Sequence, residues 1–171
     1  GVRSALEGIL ASPDFVFRFE PPPPNAKPGD TYKLRDIDLA SRLSFFLWGA
    51  PPDQSLINAA SRGTLSQPAV FERQVERMLD DARAKSLASR FAGQWLRLPD
   101  LATVQPDVRQ YPDFDEQLRG AMREETERFF DNMVKEDKSV LELFTAKYTF
   151  INERLAQHYG IPNVTGNEFR R

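Results

Sequence analysis

The sequence predicts an all-α fold, an irregular bundle of six or seven helices with a Pro-rich arm on its N-terminal side. Two observations carry that prediction. Large apolar side chains recur at helical spacing in segment after segment, and Pro, Gly and Asp punctuate the places where helices stop and start. A third observation bears on function: with no Cys and one His, the 171-residue chain is nearly empty of the residues that do chemistry. It is long enough to bury a core as one domain or as a domain with an appendage.

The first segment places Val2, Leu6, Ile9 and Leu10 on one helical face, and Ser12, Pro13 and Asp14 follow as a stop and turn. Phe15, Phe17 and Phe19 then alternate with Val16 and Arg18, the pattern of a short strand or of an extended arm laying aromatics onto the body. Four prolines at 21–24, with Pro28 and Gly29 after them, form a stiff linker, because consecutive prolines favour extended polyproline geometry. The tract reads as a spacer, the alternative being recruitment of a proline-binding domain. The main body is expected to start near Thr31.

Asp36 reads as an N-cap. Ile37, Ala40, Leu43, Leu47 and Trp48 follow at 3.6-residue spacing, and Leu39, Phe45 and Phe46 widen the apolar surface almost all round, which predicts a central, buried helix. Pro51, Pro52 and Asp53 end it, with Asp53 capping a second helix over residues 54–62 and Gly63 at its C′ position. A third helix opens at Pro68 and turns Phe71, Val75, Met78 and Leu79 inward. A fourth starts at Asp80 or Asp81 and buries Leu87, Phe91, Trp95 and Leu98. Arg83, Arg90 and Arg97 recur every seventh residue along its other side. They read as a solvated face or as partners of neighbouring carboxylates, the alternative being a basic seam for an anionic partner.

The longest helix is expected over residues 114–136, with Leu118, Ala121, Met122, Phe129 and Met133 as its stripe. At 100° per residue Glu125 falls inside that stripe, whereas Glu124 and Glu127 fall outside it and Glu124 can pair with Arg128. An inward carboxylate is either paired, with an Arg or a backbone group, or held as a catalytic acid or metal ligand. Ser139 then caps a short helix through Phe144, and a last helix runs from about Asn152 to Tyr159, stopped by Gly160, with Ile151, Leu155 and Tyr159 inward. His158 borders that face and is the one natural general base. Glu125 and His158 are therefore the candidate catalytic residues. The sequence points to no cofactor and no metal site.

Composition narrows the partners. Charges nearly cancel at −2 and no long run of one sign appears, so the electrostatic footprint of a nucleic-acid or anionic-membrane binder is missing. No apolar stretch approaches the roughly 20 residues needed to span a bilayer. There is no Gly-rich phosphate loop, no G-x-S-x-G elbow and no H-E-x-x-H.

Four phrases occur in a fixed order: Leu43-Ser44-Phe45-Phe46-Leu47-Trp48 with Pro52-Asp53 after it; Phe91-Ala92-Gly93-Gln94-Trp95-Leu96; Glu125-Thr126-Glu127-Arg128-Phe129-Phe130; and Tyr148-Thr149-Phe150-Ile151-Asn152-Glu153-Arg154-Leu155-Ala156 with His158-Tyr159-Gly160-Ile161. Together they resemble the domain of unknown function 1592 family of planctomycete-type multidomain proteins, which also carry cytochrome-c-like modules. The resemblance covers about residues 34–171. The opening, with Ser12-Pro13-Asp14-Phe15 and Phe17-Arg18, resembles the tail of a sister domain of unknown function. Residues 1–30 are thus expected to be that tail plus the linker and 31–171 the helical domain, an excerpt of a longer chain.

The resemblance implies an exported protein, periplasmic or extracellular, whose haem sits in the cytochrome-like partner, since this segment lacks a Cys-x-x-Cys-His. It supplies no catalytic residues. The expected role is a non-catalytic structural or docking module that positions neighbouring domains of the same parent chain. The alternative is part of an extracytoplasmic enzyme acting on complex organic or carbohydrate substrates, with Glu125 and His158 as acid and base. A third reading is ligand binding through exposed Tyr111, Tyr148 or Tyr159.

Overall fold

A computed structural model of the chain describes residues 1–17 and 20–171. Arg18 and Phe19, part of the expected aromatic arm, lie outside the described residues. The regular elements among the described residues are all helices, without a named strand; a lone antiparallel bridge pairs Ile151 with Arg170. Helices α1 (Val2–Leu10) and α2 (Pro13–Val16) open the chain. Where a strand or extended arm was expected, Pro13 starts one helical turn, as its fixed φ favours at a first helical position. None of the residues in α1 is buried. Directly before the prolines, Glu20 is held by the guanidinium of Arg42, which ties the arm to the body.

Helices α3 (Asp36–Leu47), α4 (Gln54–Ser61) and α5 (Pro68–Leu79) build the first half of the main core. Asp36 is the first helical residue rather than the cap: extended Arg35 precedes it, and the Asp36 carboxylate accepts the Ser66 backbone N–H at 3.3 Å. Asp53 does cap α4, accepting the Leu56 N–H at 3.0 Å, and Pro68 starts α5. Leu56, Leu65 and Met78 are fully buried. The expectation that α3 is buried nearly all round is corrected, since Ile37 and Phe46 are exposed.

The fourth expected helix is broken into pieces. A 3₁₀ turn (Ala82–Ala84) leads into a π-helical stretch (Leu87–Ala92), then one α turn, α6 (Gly93–Trp95), and a second 3₁₀ segment (Leu98–Thr103) after Arg97, whose φ is 57°. In a π turn the hydrogen bond runs i to i+5 and the winding is wider than the α-helix's 3.6 residues per turn, so inward positions recur every four to five residues. Leu87 and Ala92, and likewise Ala88 and Gly93, are the buried pairs. The 3.6-residue spacing that placed Phe91 and Trp95 in the core does not hold here, and both rings face solvent.

Helix α7 (Glu116–Lys135) serves two cores. Leu118 and Ala121 pack with Ile151, Leu155 and Ala156 of the segment leading into and through α9 (Glu153–Tyr159). Phe130 and Met133 pack into the main core with Ala88, Ala92, Leu47 and Trp48. Twelve residues separate Leu118 from Phe130 and Ala121 from Met133, which at 3.6 residues per turn is about 120° around the axis. The buried face therefore changes sides halfway along. Between α7 and α9 the short helix α8 (Glu142–Thr145) lies against the main core through Leu143.

Candidate functional site

Glu125 and Phe129 continue the face of α7 that Leu118 begins, but the core against α9 ends before it reaches them. That face instead becomes the floor of a cleft of about 400 Å³, walled by Trp95, Leu96, Phe144 and Tyr148 among others. Glu125 is half-buried. Its two oxygens are held by hydroxyls: Thr149 donates to one, and Tyr159 donates to the other at 2.7 Å. Among the described residues neither an Arg nor a backbone group supplies the partner that the sequence suggested. Desolvation, and then the Glu125 carboxylate beside it, push the Tyr159 hydroxyl up to about 12.

His158 is exposed, with its ring against Tyr159 at 5.3 Å between centroids. The residues lining the cleft include Glu125 and not His158. Tyr159, expected inward, is half-exposed, with its hydroxyl engaged by Glu125. Of the other two tyrosines raised as ligand contacts, Tyr111 is exposed and Tyr148 lines the cleft, where Glu142 accepts its hydroxyl at 2.9 Å and Phe129 stacks on its ring. Among the described residues no group of three or more Asp, Glu or His converges as a metal site would require.

Trp95 also belongs to a second feature. Phe46 packs edge-on against Phe91 at 5.4 Å, and Phe91 stacks on Trp95 at 6.0 Å. Phe46 and Trp95 are each 53% exposed and Phe91 42%. Phe130, 6.4 Å from Phe91, anchors this strip to the buried core. The strip runs into the cleft at Trp95, and Phe144, 87% exposed, stands at the rim. The periodicity argument missed this surface because it assumed α-helical winding through residues 87–92. The arginine seam on the same segment resolves into pairs: Arg83 with Asp81, Arg97 with Asp100, and Arg90 donating to the Gly49 carbonyl at 3.0 Å.

An all-α module with an uncovered aromatic strip beside an acidic, apolar cleft is the class of protein that the fold and this surface define. Residues 34–161 match the family described as PSD4, protein of unknown function (DUF1592), and the chain belongs to that family. Comparison with curated proteins and with solved structures finds no match.

Proposed function

We propose that this chain is a non-catalytic docking module that positions neighbouring domains of an exported, multidomain parent protein. The observation that carries this reading is the solvent-facing strip Phe46, Phe91 and Trp95. Large apolar side chains scattered singly on a surface need no explanation, whereas a contiguous aromatic patch marks an interaction surface. Aromatic side chains are also the residues on which binding energy concentrates at interfaces. Covering about 100 Å² on each of the three rings is favourable by roughly 2.5 kcal/mol per ring before the costs of association. The enzyme alternative has one of its two candidates, Glu125, in the cleft and the other, His158, outside it.

The segments adjoining this chain in its parent protein, cytochrome-c-like modules first, are the partners to test by titration calorimetry. Phe91→Ala and Trp95→Ala are each expected to weaken binding by about tenfold or more while leaving the fold intact. A chain that binds no adjoining segment, or binds one equally well without these rings, would count against the docking role. No helix among the described residues is long and apolar enough to cross a membrane.

A further inference from the structure

We infer that the cleft beside the aromatic strip receives a guanidinium side chain presented by a polypeptide partner, with Glu125 as its counter-ion and the rings of Trp95 and Phe129 lining its path. The inference rests on the docking reading and specifies what docks.

Two carboxylates line the cleft, and their situations differ. Glu142 accepts the Tyr148 hydroxyl and has the Lys138 ammonium at 3.8 Å. Glu125 has no Lys or Arg nitrogen within 4 Å among the described residues; its only polar partners there are the two hydroxyls of Thr149 and Tyr159. Hydroxyls orient a carboxylate without cancelling its charge. A half-buried, uncancelled charge facing an apolar cleft is an unfavourable arrangement that a cation relieves.

The geometry favours a guanidinium over an ammonium. A carboxylate has about four lone-pair sites, and one hydroxyl on each oxygen leaves one site free on each. That is the pattern a two-pronged guanidinium uses, and a planar guanidinium also stacks on aromatic faces, which a compact ammonium does less well. The chain already shows the second kind of contact on a residue that lines the cleft: the guanidinium of Arg171 lies over the Tyr148 ring at 3.9 Å from its centroid. A volume of about 400 Å³ is ample for one such side chain together with its apolar stem. Leu96 at the wall and the exposed Phe144 at the rim suit apolar residues on either side of the arginine.

The test uses the whole chain and two blocked tripeptides, Leu-Arg-Leu and the same peptide with citrulline, the uncharged near-isostere, in place of arginine. Trp95 reports on occupancy through its fluorescence, since the only other tryptophan, Trp48, is buried. The arginine peptide is expected to shift the emission saturably and to bind at least about tenfold more tightly than the citrulline peptide. Glu125→Gln retains an oxygen to accept a hydroxyl, and it is expected to remove the advantage of arginine over citrulline. Equal affinity for the two peptides, no response to either up to about 1 mM, or an advantage that survives Glu125→Gln would overturn the inference. If Glu125→Gln fails to fold, the peptide pair on the unaltered chain decides alone. Adjoining segments that bind through Phe91 while the two peptides behave alike would leave the docking surface standing and remove the guanidinium from it. Loss of both results would remove both readings.

Discussion

The two tryptophans stand at equivalent places in the sequence, each closing an apolar helical phrase, and the structure treats them oppositely. Trp48 is 3% exposed. Its indole N–H donates to the Met78 carbonyl at 2.8 Å, an acceptor in the last turn of α5 that has no partner within its own helix. The Arg83 guanidinium covers its ring at 3.5 Å, and Arg83 is held in turn by Asp81 and Asp53. Trp95 is half-exposed, stacked on Phe91, and no hydrogen bond from its indole is made among the described residues. Hydrophobicity is the same in both. What separates a core tryptophan from a surface one is a ready acceptor for the indole and a lid over the ring, and the corner after α3 supplies both.

The largest expected effect breaks that corner. Trp48→Ala should cost about 3–5 kcal/mol in urea unfolding, the range for emptying a large buried aromatic site, whereas Trp95→Ala should cost less than about 1 kcal/mol. Equal costs would mean that Trp95 is structural and that the surface strip is not free for a partner. The next effect is at Gly49, directly after Trp48. Its φ is +62°, and a Cβ there would stand 2.3 Å from Arg90 Nη1. Gly49→Ala should cost about 1–3 kcal/mol, from the left-handed backbone and the displaced arginine together. Adding Arg90→Ala should recover only part of that loss, because the backbone strain remains.

A smaller effect tests how the lid is held. Burial would raise the Asp53 carboxyl, but the Arg77 guanidinium, the Leu56 N–H and the Arg83 charge together hold it below the usual carboxylate range. Arg83, through its side chain and its backbone N–H, likewise holds Asp81 low. A carboxyl whose folded value is depressed stabilises the fold above its unfolded value of about 3.9, and that contribution fades as pH falls below it. Unfolding midpoints should therefore decline steadily below about pH 4. Asp53→Ala, which also removes the α4 cap, should cost about 1–2 kcal/mol at neutral pH and flatten the acid limb.

Fold class, most helix boundaries and some of the caps were legible because they depend on local chemistry: Asp53 accepts a backbone N–H three residues on, and Gly160 ends α9 with φ at 70°. Glu125 was also legible as an odd inward carboxylate, since its angle on α7 follows from residue number alone. Its partners were not, because Thr149 and Tyr159 arrive from a part of the chain whose packing depends on where the second core ends. The aromatic strip was misread for a different reason. Nothing local distinguishes π from α winding over Leu87–Ala92; only the small inward residues Ala88, Ala92 and Gly93, spaced for the wider turn, hint at it. The change of buried face along α7 was hidden by Phe129, which extends the first stripe right up to where the second begins at Phe130.

The smallest expected effect concerns the cleft and sharpens the contrast with the Trp48 corner. Tyr159→Phe removes one hydroxyl from Glu125 and should cost roughly 0.5–1.5 kcal/mol, with no change at Trp48. Its signature lies at high pH. Tyr159 is raised from an ordinary value of 10.0 to about 12, so its contribution to stability is complete below the first value and is lost as pH rises through the second. The unaltered chain should lose stability across that interval, and Tyr159→Phe should lose less of it. Glu125→Gln removes the charge that helps hold the phenol neutral, so it should let Tyr159 ionise earlier, by ultraviolet titration, than in the unaltered chain. A Tyr159 that titrates no later in the unaltered chain than in Glu125→Gln would mean that the carboxylate carries no uncancelled charge, and the case for a cation in the cleft would fall with it.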